Sequence, residues 1–129
     1  MKGRVILATT PFPASFKSDA AMVKHMKKAH TEVFRYNTEG TLSIELMAFF
    51  AKPHTTTEFT AHIYDVSEGR KLVESQSIYP TQRSTSVLNS FLRLNRETYE
   101  AQRNYKIVIT KGFRGYVLAE ADFGLLPPK

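Results

Sequence analysis

From residue 31 onward, apolar and polar side chains alternate with a period of two. Leu42, Ile44, Leu46, Ala48 and Phe50 fall on one side of an extended chain, with Ser43, Glu45, Met47 and Phe49 on the other. Phe59, Ala61 and Ile63 alternate in the same way with Thr60, His62 and Tyr64. Together with the turn chemistry between them, this pattern predicts seven strands, over 31–37, 42–50, 59–64, 71–79, 87–94, 105–111 and 116–125. Ser67-Glu68-Gly69-Arg70 supplies one turn, and Gly112 and Gly115 frame the last hairpin, where positive φ is commonly demanded. Ahead of the strands the period lengthens. Met22, Met26, Ala29 and Val33 recur at helical steps and make one apolar face, while Lys17, Lys24 and Lys28 fall on another. Ser15 or Ser18 can cap a helix running to about residue 30. Asp19 near its start and Lys27 and Lys28 near its end suit the helix dipole.

Short strands at close spacing with almost no helix between them predict a mainly β fold of two packed antiparallel sheets. Over about 90 residues this pattern resembles an immunoglobulin-like or fibronectin-III-like β-sandwich, and the run 94–99 leading into 105–109 is similar to the descent between sheets in such folds. The cysteine pair and core tryptophan of antibody domains are missing, so the resemblance implies architecture and no function. The expected organisation is an N-terminal extension over 1–30, carrying the basic amphipathic helix, and a sandwich over 31–129, forming a single compact unit.

With 129 residues, 42% hydrophobic and 23% charged, the chain can bury a core of its own. It has no cysteine, which removes disulfides, thiol catalysis and thiolate metal sites and points to a cytoplasmic setting. The start Met1-Lys2-Gly3-Arg4 followed by Val5-Ile6-Leu7-Ala8 offers too short an apolar run for a secretory signal, and no stretch approaches the length of a membrane span. The net charge of +6 is uneven: residues 1–35 hold seven Lys/Arg against two acids, and residues 36–129 hold eleven against ten. Lys17, Lys24, Lys27 and Lys28 are therefore the candidate contacts for an anionic partner.

Reaction chemistry finds little foothold. His25 and His30 are five apart, which sets them about 140° from each other around a helix, and His54 and His62 lie elsewhere, so the four imidazoles lack the spacing of a zinc site. Glu120 and Asp122 share one strand face, and Lys106 on a neighbouring strand makes cross-strand ion pairing their expected role. No nucleophile elbow, phosphate-binding loop or His-Glu-x-x-His occurs, so the expectation is a non-enzyme with neither cofactor nor metal. Asp65-Val66-Ser67-Glu68-Gly69 resembles the Asp-x-Ser-x-x-Gly signature of PilZ domains, which bind cyclic di-GMP. Its glycine arrives one residue early and no Arg-x-x-x-Arg precedes it, and a hairpin turn uses the same residues.

A binding module is what remains. With Phe59, Ala61, Ile63, Ile107, Ile109, Val117, Ala119 and Phe123 facing the core, His62, Tyr64, Val108, Tyr116 and Leu118 project from the opposite face as an apolar patch. Another protein, or a second copy of the chain, is the expected partner for this patch. The competing occupant is the chain's own helix, through Met22, Met26 and Val33. Nucleic acid, or an anionic membrane surface met by the lysine cluster, is the alternative partner.

Overall fold

The computed structural model describes residues 2–113 and 115–129. It is mainly β, with eight strands and one short helix in the order β1 (Arg4–Ala8), α1 (Asp19–Ala29), β2 (Val33–Arg35), β3 (Thr41–His54), β4 (Phe59–Asp65), β5 (Lys71–Ile78), β6 (Thr85–Asn95), β7 (Asn104–Thr110) and β8 (Val117–Leu126). All eight strands belong to one mixed sheet, in the order β5-β4-β7-β8-β1-β3-β6, with β2 also pairing to β8. The expected immunoglobulin-like arrangement has two separately bonded sheets, whereas here the hydrogen bonding runs unbroken from edge to edge.

The continuity comes from β1, a strand absent from the seven predicted. Arg4-Val5-Ile6-Leu7-Ala8 pairs antiparallel with β3, from Arg4 against Phe49 to Ala8 against Glu45, and meets β8 in parallel at Glu120. Its first residue is exposed and the next four are all buried. A strand covered on both faces shows no alternation, so its five residues carry no period-two signal.

Connection lengths force the sheet to curl. Seven strands laid flat at about 4.8 Å spacing would separate β5 from β6 by roughly 29 Å. Only residues 79–84 join them, and seven Cα steps of about 3.8 Å reach no farther than about 27 Å when fully stretched. The same holds for β3 and β4, which lie four places apart and are joined by residues 55–58. The curl wraps one continuous core around Ile44, Leu46, Ile63, Leu92, Ile107 and Phe123. Phe50 stacks on Phe59 at 5.1 Å between centroids, tying the β3 half to the β4 half. At the β6–β7 connection, Tyr99 and Tyr105 are buried edge to face at 5.7 Å. The Tyr105 hydroxyl donates to the Glu100 carbonyl at 2.8 Å, tying the start of β7 to the connection that leads into it.

The helix begins at Ser18, whose hydroxyl accepts the Ala21 N–H at 3.1 Å. Its apolar side lies on the outer face of β1 and β3, where Met26 is fully buried with Ile6, Met47 and Phe49, and Phe12, Phe16 and Met22 pack around them. That cluster explains why Met47 and Phe49, on the nominally outward side of β3, are apolar. Val33 takes no part in the helical face; it lies on β2 and is more than half exposed. The chain re-enters the sheet where it left it. The Thr31 N–H bonds to the Leu7 carbonyl at 2.8 Å, and His30 Nδ1 accepts the Leu7 N–H at 3.2 Å. No helix among the described residues is long and apolar enough to cross a membrane.

Candidate functional site

The outer face of β4, β7 and β8 holds the residues that the sequence pattern groups into a patch. Register places His62 against Val108, Val108 against Glu120, and Tyr64 against Lys106. The patch does not stand open, however. His62 is 5% and Val108 2% exposed, and the Phe113 ring meets the His62 imidazole edge to face at 5.4 Å. Tyr64 is half-buried with the Arg70 guanidinium 4.1 Å from its ring centre. Leu118 packs against the main core rather than outward. Of the five residues, Tyr116 alone is fully presented, at 92% exposed.

A register shift explains the misplaced pair at the start of β8. Between Ile109 and Thr110 the β7–β8 ladder slips, so Ala119 opposes the inward Ile109 while Val117 opposes Thr110. Val117, expected in the core, is consequently half exposed. One inserted residue exchanges inside for outside, and alternation along a single strand cannot reveal it.

His62 is the centre of a polar network. Its Nδ1 lies 2.8 Å from Ser75 Oγ and its Nε2 3.0 Å from Thr110 Oγ1. Thr110 donates its hydroxyl hydrogen to the Gly112 carbonyl, so it can only accept from the imidazole. Nε2 therefore carries the proton, and Nδ1 accepts the Ser75 hydroxyl. Burial holds the imidazole below its ordinary pKa, with the Phe113 backbone pulling weakly the other way. Serine donating to a neutral histidine is a nucleophile–base arrangement. Yet the imidazole is buried within the sheet and roofed by Phe113, so the network is suited to locking residues 110–113 onto β4 and β5. Ser75, Thr110 and Phe113 were not anticipated beside His62, because cross-strand neighbours depend on register.

The charged residues nearby are paired. Lys106 Nζ lies 3.7 Å from both Glu120 and Asp122, the cross-strand arrangement expected of that triad. In the β4–β5 turn, Asp65 Oδ1 accepts the Ser67 N–H at 3.0 Å, and Gly69 takes a φ of 94°. The Asp-x-Ser string thus builds a turn, with Asp65 also bonded to Arg103. Burial alone would raise the Asp65 pKa, but Arg103 and Ser67 together outweigh it and hold the carboxyl below its usual value. A cavity of about 500 Å³ beside this turn is lined by Asp65, Lys71, Glu100, Arg103 and Tyr105. Its Asp65 and Arg103 charges are already spent on each other.

On the helix, Lys24, Lys27 and Lys28 are exposed, as is Lys17 in the segment before it. The four histidines stay apart: His25 is tilted against Phe16 and His54 meets Phe50, while His30 and His62 are held as described. Among the described residues, no group of three or more His, Asp or Glu side chains converges as a metal site would require. No protein-family model matches this chain, and no curated protein matches it.

Proposed function

We propose that this chain is a non-enzymatic protein-interaction or assembly module that engages an acidic surface on another protein through its docked basic helix and the adjoining outer sheet. In this reading the β5-β4-β7 and β1-β3-β6 halves of the curled sheet act as the two layers of a sandwich, in the manner of immunoglobulin-like modules. One observation carries it. The helix spends its apolar face in cis, on Ile6, Met47 and Phe49, and so holds Lys24, Lys27 and Lys28 outward on a fixed frame. Preorganised charge of this kind steers an oppositely charged partner at little ordering cost. Tyr64, stacked beneath Arg70, supplies a half-buried aromatic at the other contact region.

The experiment is capture of partners from the native source by the intact protein and by the K24E/K27E/K28E variant, with melting temperature measured on both. Lost capture at an unchanged melting temperature supports the reading. Equal capture by both proteins contradicts it. Retention of nucleic acid instead of protein, with a steep salt dependence that the triple variant flattens, favours the nucleic-acid alternative.

A further inference from the structure

Strand order gathers three connections and the N-terminal residues at one pole of the molecule. His54 opposes Thr85, Phe59 opposes Ile78, Thr60 opposes Thr110, and Gly3 bonds to Phe49 and Glu120. The stretches 2–3, 52–58, 79–84, 111–113 and 115–116 consequently share this end. Lys2, Lys52, Arg83 and Lys111 stand exposed on it, and Glu58 is the one acid among its described residues. Lys52 and Lys111 are close enough to His54 that both depress its pKa, after burial. The connections at the opposite pole, 9–18, 36–40, 66–70, 96–103 and 127–129, carry five basic residues against four acids. The cationic pole is also the aromatic one. Tyr79 is 69%, Phe113 64% and Tyr116 92% exposed, and Val117 beside them is 52% exposed.

The geometry points to this pole as a docking surface for an anionic phospholipid bilayer, separate from the helix surface assigned to a protein partner. Positive charge around exposed Tyr and Phe is the composition that lies in a headgroup layer, the cations meeting lipid phosphates and the rings the boundary with the acyl chains. Shape selects the bilayer over a single-stranded nucleic acid. The exposed aromatics divide between two connections, Tyr79 on one and Phe113 and Tyr116 on the other, rather than lying in a row along one strand. The sheet face leading away from them is sealed by Phe113 over His62 and carries Glu120 and Asp122 around Lys106, which would repel a phosphate backbone tracking along it. A flat anionic surface touches the connections alone.

The test is co-sedimentation of the full chain with vesicles of phosphatidylcholine alone and with about 30% phosphatidylserine, at about 0.1 M salt. Binding to the phosphatidylserine vesicles only is expected. Lys52→Ala and Lys111→Ala should each weaken it about fivefold, the value of one cation near an anionic membrane surface. Tyr116→Ser should weaken it further, and K24A/K27A/K28A should leave it intact. Tyr116 is nearly free of contacts, so its variant should keep the parent melting temperature; Phe113 is left alone because it packs on His62. Absence of vesicle binding, equal binding to both vesicle types, loss with the helix triple variant but not with the pole variants, or displacement of the vesicles by oligothymidylate each overturns the proposal.

Discussion

Truncating Met26 to Ala tests whether the helix is part of the fold or a loose appendage. Met26 is fully buried in a small cluster with Ile6, Met47 and Phe49. Core Met to Ala changes cost about 2–5 kcal/mol. The lower half of that range applies, because the cluster is peripheral and Ala favours the helix slightly over Met. Unfolding entropy near 2.1 cal/mol/K per residue gives roughly 0.27 kcal/mol/K for a chain of this length, so a loss of about 2–3 kcal/mol lowers the melting temperature by about 7–11 °C. Thermal unfolding followed by circular dichroism reads this directly, and limited proteolysis shows whether cleavage within residues 9–32 increases. Lys27→Ala, on the exposed side of the same helix, should shift melting by no more than about 2 °C. A Met26→Ala protein that melts within about 1 °C of the parent and resists protease equally would refute the docking argument.

Other outcomes follow from the same contacts. His30, His54 and His62 are all held below the ordinary histidine value in the folded chain, chiefly by burial. The unfolded chain therefore takes up protons first as pH falls through about 6.5, so the stability given by the neutral rings is complete above that pH and drains away below it. Melting temperature should fall between pH 7.5 and 5.5, and His62→Gln should shrink that fall; a flat profile would contradict the assignment. Burial pushes the Tyr36 phenol up to about 12, and Tyr99 and Tyr105 higher still, so these three should resist ionisation above pH 10 while the fold holds, as ultraviolet titration would show. Tyr36→Phe removes a buried hydroxyl that donates to the Tyr99 carbonyl and should cost about 1–2 kcal/mol in urea unfolding. Ser18→Ala removes the helix cap, for about 1 kcal/mol on the same assay.

Strand content was legible because most strands bury one face. Leu42 to Phe50, Phe59 to Tyr64 and the inward Ile107 and Ile109 keep the period of two that the fold uses. The helix was legible for the same reason: Ser18 is one of the two caps its sequence offers, and Met22 and Met26 lie on its apolar side, although Val33, assigned to that side, belongs to β2. What escaped had physical causes. β1 is buried on both faces and reads as a plain apolar run, so the strand that joins the two halves of the sheet left no periodic mark. The slip at Thr110 reversed Val117, and Leu118 packs inward beside it. His62 does face outward, as alternation says, but alternation cannot tell that Phe113 folds back to roof it. The charge at the aromatic pole is spread over four separate stretches of sequence, and only strand order brings them together.

β1 sits inside the sheet between β8 and β3, and the continuity of the fold depends on it. Amide hydrogen exchange measures this residue by residue. The amide of Ile6, paired opposite Met47 of β3, should exchange as slowly as those of Ile107 and Ile109 in β7, whereas the Leu7 amide is held by His30 and does not report on the strand pairing. Exchange of the Ile6 amide at the rate of a fraying terminus, with β7 still protected, would contradict the continuous sheet and the shared pole built upon it.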